Sequence, residues 1–101
     1  PAVPIVRAKD EAEAIRFAND TEYGLSAAVY TKDIARGLRV ARRIESGICH
    51  INGPTIQDEA QVPFGGVKSS GIGRFGGRHG VDAFTQLRWI SIETEHPHYP
   101  F

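Results

Sequence analysis

The sequence is short of several things that usually announce a function. Neither charge is in excess, with 12 basic against 12 acidic side chains. A general binder of nucleic acid or of an anionic membrane surface normally shows a basic surplus, so the reading is no nucleic acid and no membrane. A single cysteine, Cys49, leaves no intrachain disulfide and points to a reducing compartment, taken as the cytoplasm. No apolar run approaches the roughly 20 residues of a membrane span, and no secretory leader is visible. The chain opens on Pro1 rather than Met, so further residues are expected upstream. Its four histidines, His50, His79, His96 and His98, lack metal-ligand spacing, and no metal is expected.

What remains is ordinary globular material, 41% apolar and 24% charged, enough for one modest core. Residues 3–6 (VPIV) form a short apolar run that predicts a buried strand, with Pro4 at an edge. Asp10, followed three residues later by Glu13, is a capping-box pattern, and Ala14, Ile15, Phe17 and Ala18 supply an apolar helical face. Residues 25–30 (LSAAVY) predict a second strand. Asp33 can cap a second helix with Ile34, Leu38, Ala41 and Ile44 inward. Arg36, Arg39, Arg42 and Arg43 read as its solvated face, the last two near its negative end. Gly47 suits a left-handed position past that helix. Residues 48–51 (ICHI) predict a third strand.

Strand, helix, strand, helix, strand implies an α/β fold with a parallel βαβαβ sheet and right-handed crossovers. Ligands in such sheets bind at the carboxyl ends of the strands, here the start of the stretch after Ile51. Residues 52–80 read as one long loop, a length that is usually functional. A short helix is expected over 80–85. Residues 87–94 (LRWISIET) alternate like a strand that lacks a partner in this chain, so pairing with another subunit is expected. The remainder, from His96, reads as irregular.

Several motifs suggest chemistry and then weaken. Gly71, Gly73 and Gly76 spell the G-x-G-x-x-G of dinucleotide-binding turns, but the preceding residues are polar and Gly77 and Gly80 suit a helix poorly, so tight turn packing is the better reading. Cys49 lies in an apolar strand, where a structural thiol is favoured, and neighbouring His50 points to the opposite face. Asp58 and Glu59 read as solvated loop acids. Ser69 and Ser70 lack a base at recognisable spacing. No self-contained catalytic set is present.

Three segments in fixed order carry a resemblance: FANDTEYGLSAAVYTKD (17–33), SGICHING (46–53) and PFGGVKSSGIGRFGG (63–77). Together they resemble the aldehyde dehydrogenase family over nearly the whole chain. The resemblance implies a C-terminal piece: residues 1–70 as the end of the catalytic domain, 71–86 as a linker with the short helix, 87–95 as an oligomerisation strand and 96–101 as a tail. It implies oxidation of an aldehyde to an acid through a cysteine thiolate, hydride transfer to NAD or NADP, and hydrolysis of the thioester. The nucleophile and most coenzyme contacts are expected in the upstream part, so no catalytic or cofactor-binding residue is assigned here, and Cys49 does not match the nucleophile. Phe64 matches an aromatic residue of the substrate tunnel, Gly65 and Gly66 let that turn pass close to the site, and Ile56 lies in the variable loop 53–62 that shapes substrate choice. That loop, with the ending HYPF (98–101), resembles the benzaldehyde, vanillin and salicylaldehyde dehydrogenase branch, which implies an aromatic aldehyde substrate. Homo-oligomer contacts are expected through Leu87, Trp89, Ile90 and Ile92, with Gln86 where some relatives carry a glutamate. The alternative reading is a non-catalytic oligomerisation module.

Overall fold

The computed structural model describes residues 2–96, 98 and 100. Among these the elements run α1 (Glu11–Asn19), β1 (Tyr23–Gly24), β2 (Ser26–Val29), α2 (Ile34–Ala41), β3 (Ile48–Ile51), β4 (Val67–Lys68) and α3 (Gly77–Phe84). Pro1, Pro97, Tyr99 and Phe101 lie outside the described residues, so the HYPF ending is only partly covered.

Both early helices begin where their capping residues put them. Asp10 is extended and its carboxylate accepts the Glu13 N–H at 2.8 Å, while the Glu13 carboxylate accepts the Lys9 N–H at 2.9 Å. The first bond satisfies a donor that the helix start leaves free, and the second ties the Glu13 side chain back across the cap. Asp33 does the same for α2, accepting the Arg36 N–H at 3.0 Å.

The centre is a parallel pair, β2 with β3, in the register Ser26↔Ile48 to Val29↔Ile51. Helix α2 is the crossover between them, which makes one βαβ unit. It packs through Gly37, the buried residue of the helix. A Cβ there would lie 3.0 Å from Thr31 Cγ2 and 3.1 Å from Ile51 Cγ2. That closeness corrects the expected inner face: Ala41 and Ile44 are partly buried as expected, but Ile34 and Leu38 are exposed. The helix lies nearest the sheet at its smallest residue, while Ile34 and Leu38, to one side of Gly37, stay about half exposed. Ile15 of α1, with Ala18, Ala28, Val40 and Ile44, lines the seam between the two helices and the sheet. Arg36 and Glu11 close the seam with an ion pair at 2.7 Å.

Two further expectations change, and the strand expected over 87–94 is without the second subunit it was expected to pair with. Residues 3–6 form no strand and Ile5 is 97% exposed. Pro4 has no N–H to give, and residues 3–6 pair with neither outer edge of the two-stranded β2–β3 sheet, so among the described residues βαβαβ reduces to βαβ preceded by α1. Residues 87–94 also form no strand, with Leu87 and Trp89 105% and 91% exposed. A strand exists only through its partner's hydrogen bonds, and none of the described residues supplies them. Residues 52–80 are not one featureless loop. Strand β4 returns to pair antiparallel with β1, as Tyr23↔Lys68 and Gly24↔Val67, and α3 starts at Gly77 rather than at residue 80. Lys68 secures that return: its ammonium donates to the carbonyls of Asn19 at 2.9 Å and Thr21 at 3.2 Å and pairs with Glu45 at 2.7 Å.

The result is a mixed α/β unit with large open faces. Its radius of gyration is 21.4 Å, against about 13 Å for a compact chain of ~100 residues.

Candidate functional site

The candidate site is built on the face of β3 that α2 leaves free. Ile51 meets Gly37 of α2, so by strand alternation Cys49 shares that covered face and Ile48 and His50 point the other way. There Ile48 and His50, with Gly47 and the loop residues Gln57, Asp58, Glu59, Val62 and Pro63, line an open cleft of about 340 Å³. Ile48, Val62 and Pro63 form an apolar wall, and Gln57, Asp58 and Glu59 a polar rim. That is the volume and the mixture of a small-molecule pocket.

The loop over the cleft leaves β3 at Asn52, which has a left-handed φ of 58°. Ser26 Oγ ties the loop down by donating to the Thr55 carbonyl at 2.8 Å. Immediately after Pro63 comes Phe64, partly buried and held as an isolated antiparallel bridge to Phe75. The Phe64 N–H donates to Phe75 O at 2.8 Å and the Phe75 N–H to Phe64 O at 2.9 Å. Their rings meet at 5.2 Å between centroids, tilted by 49°.

Glycines let three backbones meet here. A Cβ on Gly47 would overlap the Gly65 carbonyl oxygen, far inside contact distance. A Cβ on Gly65 would lie 2.6 Å from the Gly73 carbonyl oxygen, and one on Gly66 2.5 Å from Ser70 Cβ. The role expected for Gly47 is therefore corrected: it is not among the positive-φ residues, and the helix before it ends at Ala41. It is small because the turn at Gly65 lies on top of it.

The other candidates fall into place around this. Gly71, Gly73 and Gly76 have φ of 143°, 75° and 96°, and the motif does run into a helix, α3. Yet the strand before it is the two-residue β4, antiparallel to β1, and a Cβ on Gly76 would strike the Val62 carbonyl. Gly76 packs the turn against Val62, while Gly71 and Gly73 face open space and serve their positive φ, and among the described residues the motif does not fit a dinucleotide pyrophosphate, which needs a parallel strand feeding the turn. Burial raises the Cys49 thiol pKa, so little of it is thiolate near neutral pH. Ser70 is spent on structure, its Oγ accepting the Gly24 N–H at 2.9 Å. Asp58 accepts the Glu59 N–H at 2.8 Å, and Glu59 accepts from the Gln61 amide. No cluster of three potential metal ligands occurs among the described residues.

None of the expected tunnel residues is among those lining the cleft: Phe64 and Gly65 follow the lining residue Pro63 in the chain, and Ile56 is 91% exposed at the loop tip. Reading from the sequence missed His50, whose Nε2 is buried without a hydrogen-bond partner, and Gln57. The signal for His50 was present: it alternates with Cys49 and Ile51, and only one of those faces can receive α2.

The aldehyde dehydrogenase family signature matches residues 1–90. The chain belongs to the aldehyde dehydrogenase family. It is 54% identical over 100 residues to a vanillin dehydrogenase of Pseudomonas fluorescens, covering 99% of this chain and 21% of that one. It is 52% identical over 101 residues to a salicylaldehyde dehydrogenase of Pseudomonas putida, with 100% and 21% covered. Among solved structures, a salicylaldehyde dehydrogenase from Pseudomonas putida G7 complexed with salicylaldehyde superposes with a TM-score of 0.87 at 56% identity, over 95% of this chain and 20% of that one. A Mycobacterium tuberculosis aldehyde dehydrogenase complexed with NAD+ superposes with a TM-score of 0.74 at 42% identity, over 78% and 16%. The chain thus spans about a fifth of the length of the curated relatives it matches. Similarity falls in the vanillin and salicylaldehyde branch that the sequence resembles.

Proposed function

We propose that the chain is the C-terminal part of an NAD(P)-dependent aldehyde dehydrogenase that oxidises aromatic aldehydes to carboxylic acids. In this reading it supplies a wall of the substrate tunnel and subunit contacts, while the nucleophile and the coenzyme contacts come from upstream. The observation that carries the reading is the turn at Phe64, pinned by two backbone hydrogen bonds to Phe75 and directly following Pro63, which lines the apolar-walled cleft. A flat ring held in one orientation is what stacking on an aromatic substrate requires. Gly65 allows the close passage of that turn, and Ile56 gives the loop an apolar tip. The names of the relatives support the substrate class. No helix among the described residues is long and apolar enough to cross a membrane, and a cytoplasmic setting suits the lone thiol.

Residues 1–70 then belong to the catalytic domain, 71–86 form the linker and 87–95 the oligomerisation strand. The exposure of Leu87, Trp89, Ile90 and Ile92 supports a homo-oligomer contact, because an apolar segment with an unpaired backbone invites strand addition. A module that only assembles is not favoured, since the family match reaches through residues 1–90 and takes in the cleft.

The test uses the full-length polypeptide with NAD or NADP and a panel of aldehydes. Benzaldehyde, vanillin and salicylaldehyde are expected to be oxidised faster per unit concentration than straight-chain aldehydes, and the 101-residue chain alone is expected to be inactive. Turnover by the isolated chain, or a preference for aliphatic substrates, would refute the reading. In the same assay Cys49→Ser is expected to retain turnover within about threefold, because a partly buried neutral thiol in mid-strand is not the attacking group. Abolished turnover in a protein that still binds coenzyme would move the nucleophile to Cys49.

A further inference from the structure

We infer that Asn52 is a positioning residue for substrate recognition: its side-chain amide continues the β2–β3 ladder one rung past the backbone and so fixes the angle at which the cleft loop departs. The inference rests on the function proposed above and assigns a specific role within it.

The last backbone rung is the Asn52 N–H to the Val29 carbonyl, at 2.9 Å. Beyond it the main chain turns away, with Asn52 at φ 58°. Thr31, the next residue of the neighbouring segment with groups pointing this way, would lose both its partners. Asn52 replaces them with one planar amide: Oδ1 accepts the Thr31 N–H at 2.8 Å, and Nδ2 donates to the Thr31 carbonyl at 2.9 Å.

Two bonds to one residue fix an orientation, where a single bond leaves a swivel. Thr31 is itself fixed, its Oγ1 accepting the Asp33 N–H at 3.1 Å and its Cγ2 lying against Gly37. Rigid parts therefore run from the start of α2 to the first residue of the loop. Past Asn52 the loop has few anchors, chiefly Ser26 Oγ on the Thr55 carbonyl, and Gln57 already lines the cleft. A change of angle at Asn52 is carried directly into the cleft wall.

The residue type is demanding. Few side chains other than glycine accept a left-handed φ, and Asn is one of them. Glycine keeps the backbone and offers no amide. Aspartate keeps the acceptor and loses the donor, placing a carboxylate against the Thr31 carbonyl.

Steady-state kinetics of the full-length enzyme with NAD and benzaldehyde, together with hydrogen exchange, provide the test. Asn52→Gly is expected to raise the benzaldehyde KM about tenfold, the scale of two lost hydrogen bonds that hold one geometry. The kcat and the NAD KM should stay within about twofold, and faster exchange should be confined to residues 53–64. Asn52→Asp, which sets a carboxylate against the Thr31 carbonyl, should show the same split. An unchanged benzaldehyde KM in Asn52→Gly would overturn the inference, as would equal losses in kcat and in both KM values, the pattern of general structural damage. If Asn52→Gly is not recovered folded, Asn52→Asp decides by the same split. Wild-type enzyme that oxidises no aromatic aldehyde would sink the proposed function instead, and the exchange pattern would still report whether Asn52 holds the loop.

Discussion

Gly47→Ala is expected to be the most damaging single-methyl change in this segment. The new Cβ would overlap the Gly65 carbonyl oxygen and crowd Gly66 Cα at 3.0 Å. The obstacles are backbone atoms, which cannot swing aside as the end of a side chain can. Gly47 cannot retreat either, because its N–H donates to the Gly24 carbonyl at 3.0 Å and the next N–H, of Ile48, to Leu25 at 3.0 Å. Relief must come from lifting the turn at Gly65, and with it Phe64. A cost of about 3 kcal/mol is expected, the upper end for overpacking a site that cannot yield. The full-length protein should show a lower denaturation midpoint together with a raised KM for aromatic aldehydes. Wild-type values of both would mean that the close approach of Gly47 to Gly65 does not persist in the intact enzyme.

Phe64→Ala is expected to cut kcat/KM for benzaldehyde by about tenfold, equivalent to ~1.4 kcal/mol, within the range of one lost aromatic contact. Straight-chain aldehydes should lose less, since they have no ring to stack. The substitution also removes the ring that meets Phe75 at 5.2 Å, so a loosened turn could imitate a lost substrate contact. Phe75→Leu separates the two. It deletes the same ring pair and leaves Phe64 and both backbone bonds of the bridge available. If Phe75→Leu lowers aromatic kcat/KM as far as Phe64→Ala does, the effect belongs to the turn. If Phe64→Ala leaves aromatic and aliphatic kinetics alike unchanged, the residue has no tunnel role.

Much of the fold could be read from local chemistry. Asp10 with Glu13, and Asp33, mark helix starts because their side chains answer a need of the adjacent backbone. Residues 25–30 and 48–51 read as strands because short apolar runs are buried on both faces, and β2 and β3 lie within them. What escaped was set by distant partners. Strands β1 and β4 are two residues each, too short for any alternation, and exist because Lys68 brings the chain back to Asn19 and Glu45. Residues 3–6 and 87–94 carry strand patterns and form none, since periodicity speaks to faces and not to whether an edge is at hand.

The site divides in the same way. Phe64 and Gly65 were nominated by resemblance, since no spacing rule singles out PFGG. Resemblance also nominated Ile56, which stands at the loop tip outside the cleft. The companion of Gly47 lies eighteen residues along the chain, so its smallness looked like a helix ending when it records a crossing of backbones.

The reach of the Lys68 ammonium across 49 residues to the Asn19 carbonyl has a further consequence. A clasp between such remote points makes everything it encloses, from the end of α1 to β4, melt and re-form together, since opening either end releases both. Residues past Gly77 stand outside that clasp. A protease should therefore trim the C-terminal side of β4 first and stop at a resistant body containing both parallel strands, the cleft and its loop.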